Sequence, residues 1–163
     1  MSLLYPLAGI DQTLGMVGVG VWAALLAGRQ RSMAILVPGT FLVMMAIGAA
    51  AGFAGIKLPL VEAVLLALVF VIGGLVIGAV RMPAAWAMAL AGLFAAFYGY
   101  AHALEAPAGE AGAYILGFLV TTALLQGVGL ALGGVARRTV GDLGLRAVGG
   151  AILAAGAVVL IAH

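Results

Sequence analysis

The chain has 163 residues, of which 66% are hydrophobic and 7% charged, with a formal net charge of +2 and no cysteine. Mean hydropathy is +1.33; a soluble domain needs several times more charge to cover its surface, so composition excludes one. The small net charge gives no basis for nucleic-acid binding, and without cysteine there are no disulfides and no thiolate metal sites.

At roughly 20 residues per crossing plus short loops, the length has room for about six or seven helices and no soluble domain. The apolar runs are continuous rather than alternating, which argues against a β-barrel. The expected fold class is all-α: a polytopic bundle of about six transmembrane helices forming one domain over residues 1–163. The opening MSLLYPLAG has no basic n-region and no cleavage site, so no signal peptide is expected. Either the chain inserts without one, or it is a mature form given a new start.

In chain order, the first apolar segment covers about residues 10–27 and ends at Gly28-Arg29. The second covers about 33–54, with Pro38-Gly39 near its start marking a kink or a late beginning. The third, about 59–80, follows Lys57-Leu58-Pro59. The fourth, about 83–104, opens on Pro83, a favoured first-turn residue. The fifth covers about 111–136 and the sixth about 143–162. Basic residues divide unevenly between the loops. Arg29, Arg31, Arg81, Arg137, Arg138 and Arg146 follow helices one, three and five, whereas the opposite side holds only Lys57. By the positive-inside rule both termini lie outside, in the periplasm if the membrane is a Gram-negative inner membrane.

That orientation brings the polar residues to one side. Asp11 opens the first helix, Glu62 sits in the first turn of the third, and His102 and Glu105 close the fourth. Tyr98, His102 and Glu105 are i, i+4 and i+7, one stripe of a helix. Ionisable groups in so apolar a setting are expensive and usually face a bundle interior or a water-filled cavity. Gln126 lies about 20 Å below the outer end of the fifth helix, past the midplane. Two helical faces stand out: Asp11, Gly15, Gly18 and Trp22, and Thr122, Gln126, Gly129 and Gly133. Small residues beside a polar one permit close helix approach, and the pairs Gly48/Gly52, Gly74/Gly78 and Gly129/Gly133 fit tight packing.

Carboxylates with an imidazole suit a divalent transition ion, imidazole favouring nickel, zinc or copper over magnesium. The same groups suit a proton relay, with His102 as the group that titrates near neutrality. The simpler readings are structural: Asp11 as an N-cap, Glu62 as a first-turn acid, His102 and Glu105 meeting headgroups and water, and Gln126 as a helix–helix hydrogen bond. The methionines at 16, 33, 44, 45, 82 and 88 show no paired spacing and read as apolar filling. Met16, one turn below Gln12, is the one placed to face a cavity. Serine occurs only at positions 2 and 32, and no nucleophile constellation or phosphate loop is present, so an enzyme is not expected.

Two stretches resemble the motifs of a known family. YPLAGIDQTLGMVGVGVWA is similar to HPxxGxDHxLxMxxVG, and FYGYAHALEAP to FxxFHGxAHGxExP, the signatures of the HupE/UreJ membrane proteins associated with hydrogenase and urease maturation. The similarity extends through LPLVEA and LGFLVTTALLQGVGLALG. It implies about six helices, an outer N-terminus, and uptake or delivery of nickel, or cobalt in some members, as substrate rather than as a bound cofactor. Nickel-enzyme maturation proteins are the implied partners. The metal-facing positions would be Asp11, Glu62, His102 and Glu105, with Met16 also kept. Tyr5, Gln12 and Tyr98 replace motif histidines, and Gln126 falls where relatives often carry one; all four can still hydrogen-bond or offer oxygen. The expectation is a passive divalent-metal permease of the bacterial inner membrane. The alternatives are a small neutral-solute channel lined by Tyr5, Gln12, Tyr98 and Gln126, or a non-transporting binding or scaffold protein. Oligomeric state is not specified by the sequence.

Overall fold

The computed structural model describes residues 10–162. Within them the chain forms six helices: α1 (Ile10–Ala27), α2 (Met33–Phe53), α3 (Val61–Ile77), α4 (Ala84–Glu105), α5 (Ala111–Val140) and α6 (Asp142–Ala162). By length and composition α2, α4 and α5 can each cross a membrane, while α1 and α3 are apolar but shorter. α3 is shorter at both ends than the apolar run that encodes it. Composition cannot see that Leu60 and Ala79 leave helical dihedrals, with φ of 59° and 48°. α5 runs four residues past its expected end, through Arg137 and Arg138 to Val140. Pro38 lies inside α2, so the helix begins before it rather than after. Pro83 sits just ahead of α4, its carbonyl accepting from Trp86 and Ala87 N–H at 3.1 Å each.

The helices pack as three principal pairs, α1 with α5, α2 with α4 and α3 with α6, and α1 also packs on α2, α3 and α6. α1 is therefore the central helix, and Met16, Val19, Trp22 and Leu25 on it are at most 2% exposed. Glycine sets the closeness of each pair. A Cβ on Gly20 would meet the Gln126 carbonyl, and one on Gly129 the Val17 carbonyl, so α1 and α5 touch backbone to backbone. On α2 and α4, Gly48 lies on the Ala96 carbonyl and Gly99 on the Met45 carbonyl. Of the three spaced glycine pairs, Gly74/Gly78 is not a seam: nothing lies within 4 Å of a Cβ on Gly74. The neighbouring Gly73 faces Leu153 instead, and Gly149 of α6 faces Val76 and Ile77.

α5 shows how the bundle is sorted. Its fully buried residues are Thr122, Gln126, Gly129 and Gly133, whereas Leu116, Val120, Leu124, Val128, Leu132 and Val135 are exposed. The small and polar face points inward and the large apolar face outward, the reverse of a helix in a water-soluble protein.

The two helix ends α2 and α3 offer a matched comparison. Each closes with a 6→1 and a 5→2 hydrogen bond: Ile56 N–H to the Ala51 carbonyl with Gly55 N–H to Gly52, and Val80 N–H to Leu75 with Ala79 N–H to Val76. The motif needs a left-handed residue. Gly55 fills it in α2 at φ 75°, but Ala79 fills it in α3 at φ 48°. A Cβ in that region costs about 1–2 kcal/mol. Ala79→Gly is therefore expected to stabilise the protein by about 1 kcal/mol and Gly55→Ala to destabilise it by a similar amount. Thermal unfolding in detergent checks both; a lower midpoint for Ala79→Gly would contradict the strain.

Candidate functional site

Loop contacts define the two ends of the bundle. At one end Leu58 N–H donates to Tyr100 Oη at 3.3 Å, tying the α2–α3 loop to the close of α4. Glu62, His102 and Glu105 therefore share that end. At the other, Arg81 and Asp142 form an exposed ion pair at 3.2 Å. Arg29 and Arg81 line one cavity there, with Gln30, Met33 and Met82. Arg137 donates to the Ala24 carbonyl at 3.3 Å, placing a cation at the C-terminal end of α1, where the helix dipole is negative.

At the first end His102 is 4% exposed, near the C-terminus of α4. Its Nδ1 lies 3.4 Å from Glu105 Oε2, one turn on, and that carboxylate is 60% exposed. The imidazole packs against the Phe118 ring of α5, with centroids 3.4 Å apart. Neither ring nitrogen makes a hydrogen bond of good geometry. His102 is thus a buried imidazole with an exposed carboxylate beside it.

Directly inward, α5 continues the polar line. Phe118, Thr122 and Gln126 repeat every four residues and so lie on one face. Thr122 is fully buried, and its Oγ1 lies 3.4 Å from Met16 Sδ of α1 and 3.8 Å from Met45 Sδ of α2. Tyr98, also buried, approaches from α4: its hydroxyl would be 2.7 Å from a Cβ on Gly15, and its ring lies 6.1 Å from Phe41. One turn below Thr122, Gln126 is 1% exposed. Neither Oε1 nor Nε2 of Gln126 has a hydrogen-bond partner, and the same holds for Trp22 Nε1. A buried polar group left unpaired costs about 1–3 kcal/mol, so Gln126 and Trp22 Nε1 are an energetic expense of the fold.

The structure brings together some of the expected residues and not others. His102 and Glu105 meet; Tyr98, Met16 and Gln126 are all buried in the bundle interior. Gln12 is half-buried on α1, and Glu62 is exposed at the start of α3. Tyr5 and the side chain of Asp11 lie outside the described residues. Among the described residues no three His, Cys, Asp or Glu side chains gather closely enough to hold a metal ion. Sequence reasoning missed Met45 and Phe118 as members of the column. The four-residue spacing of Phe118, Thr122 and Gln126 was a usable signal for Phe118; nothing in the sequence distinguished Met45 from Met44.

The family model described as HupE / UreJ protein matches residues 1–159. Protein HupE of Rhizobium leguminosarum bv. viciae is 36% identical over 161 residues, covering 98% of this chain and 83% of that protein. No solved structure shows significant similarity.

Proposed function

The chain belongs to the HupE/UreJ family, and from that premise we propose that it is a six-span permease for a divalent transition-metal ion. Nickel is the cargo, serving hydrogenase or urease maturation. The observation that carries this reading is the buried His102 imidazole beside the exposed Glu105, with a column of polar groups continuing inward through Thr122 to Gln126. At 1.5 Å per residue, the 18 residues of α1 and the 17 of α3 give about 27 and 26 Å. Those lengths are close to a hydrocarbon core of about 30 Å, so the two shorter helices serve as spans with little tilt. The arginine-rich end is cytoplasmic by the positive-inside rule, and the termini and the His102 end are periplasmic.

In this mechanism Asp11, Glu62 and Glu105 raise the local concentration of cations at the outer mouth. The ion sheds water against carboxylate oxygens and the imidazole, then moves inward along the face shared by α1, α4 and α5. The chain has no nucleotide-binding motif, so the driving force is the ion gradient, the membrane potential or trapping by downstream nickel proteins.

The test is nickel influx into proteoliposomes at a set potential, for the unmodified chain, His102→Ala and Asp11→Asn. Uptake is expected to respond to the potential and to fall at least about tenfold in each variant, the usual loss when a ligand shell is broken. Uptake indifferent to both substitutions would refute the reading. Flux of uncharged solutes with no nickel uptake would replace it with a neutral-solute channel.

A further inference from the structure

We propose that Met16 and Met45, gathered on Thr122, form a mid-membrane thioether contact for the passing cation, which biases the pathway toward soft and borderline transition ions over hard ones. This rests on the permease reading and adds to it the step that follows His102.

The two sulfurs come from different helices and neither is at the surface: Met16 is 2% and Met45 1% exposed. Both point at one hydroxyl, at 3.4 and 3.8 Å. A threonine hydroxyl has one proton. It can satisfy one sulfur at a time, so the second sulfur and the oxygen lone pairs of Thr122 lie together in one buried space. The unpartnered Gln126 Oε1 stands one turn below on the same face. Two thioether sulfurs, the Thr122 hydroxyl oxygen and the Gln126 amide oxygen thus line one buried stretch, a donor set that suits a soft cation. Packing alone does not call for this arrangement. Leucine would fill either position with better-defined rotamers, and valine at 122 would remove a buried hydroxyl.

The convergence is a product of the glycine seams. Gly99 of α4 lies on the Met45 carbonyl, and Gly129 of α5 lies on the Val17 carbonyl next to Met16. The same contacts that draw α2 to α4 and α1 to α5 thus fix the backbone on which each sulfur is mounted.

Thioethers are soft ligands, whereas carboxylate, carbonyl and water suit magnesium, calcium and manganese. A thioether site is neutral, so it holds an ion less firmly than the carboxylate mouth. A conducting site must release what it binds. The other buried polar side chains nearby, Tyr98 and Gln126, offer oxygen and amide groups, which are harder ligands than sulfur. Sulfur is the remaining soft donor available at this depth.

The test has two arms. In the first, protein labelled at its methionine methyl carbons is titrated in detergent with silver(I), a thioether-seeking ion. The Met16 and Met45 methyl signals are expected to shift together and saturate at one silver per chain; Met16→Leu and Met45→Leu assign them. Thr122→Val, which preserves side-chain shape, is expected to weaken silver binding about tenfold. Shifts confined to other methionines would overturn the proposal without reference to transport. In the second arm, nickel and manganese influx are compared in proteoliposomes. The Met16→Leu/Met45→Leu chain is expected to lose about tenfold of its nickel-over-manganese preference while His102 remains in place. Unchanged preference would overturn the thioether contact and leave the permease reading standing. Absence of nickel influx in the unmodified chain would remove the permease reading, and the silver titration would still decide whether the sulfur site exists.

Discussion

Gly129→Ala is expected to lower the unfolding midpoint of the protein by about 6–12 °C, the equivalent of ~3 kcal/mol in a chain of this size. The new Cβ would fall on the Val17 carbonyl, with Gly20 Cα 3.1 Å away. Both neighbours are backbone, so no rotamer change relieves the overlap, and α1 and α5 must separate. Separation loosens packing along the whole seam, since Gly20 lies on the Gln126 carbonyl and Gly133 faces Ala24. Van der Waals contact is the main attraction between helices in a bilayer, so even a small displacement is costly. Gly127 and Gly134 are built-in controls on the same helix, because a Cβ on either meets nothing within 4 Å. Alanine there is expected to be neutral or to stabilise by up to about 1 kcal/mol through helix propensity. Thermal unfolding of the three variants in one detergent makes the comparison. Equal midpoints for Gly129→Ala and Gly127→Ala would show that α1 and α5 do not meet through this seam.

Gln126→Leu is expected to move stability and transport in opposite directions. The side chain is 1% exposed and neither of its amide atoms has a partner. A buried amide left unpaired costs about 1–3 kcal/mol. Leucine is similar in size and removes that penalty, so the midpoint should rise, by about 2–4 °C for each kcal/mol recovered. Nickel influx should fall about tenfold, because an oxygen ligand on the inner half of the path is lost. A lower midpoint would mean that the amide is hydrogen-bonded to the protein and belongs to its packing. A higher midpoint with unchanged influx would leave Gln126 outside the path.

Much of the architecture was legible in the chain itself. A mean hydropathy of +1.33 with 7% charged residues leaves few solutions other than helices in a membrane, and six helices are present among the described residues. The inward face of α5 was also legible. Thr122, Gln126, Gly129 and Gly133 share one side of a 3.6-residue helix, and small or polar residues in an apolar helix belong inside. His102 and Glu105 were readable as a pair because their spacing of three places them one turn apart.

What the sequence could not decide involves more than one helix. Gly73 and Gly74 are adjacent and chemically identical, yet Gly73 packs on α6 and Gly74 meets nothing. Only the rotation of α3 about its axis separates them, and packing sets that rotation. Met44 and Met45 pose the same problem, and Met45 alone reaches the hydroxyl of Thr122, 77 residues away in the chain. Local periodicity determines which face of a helix turns inward, because burial is a property of each helix against its surroundings. Which side chains meet across that interior depends on helix order, depth and rotation together, and those are settled by the backbone contacts of the glycine seams.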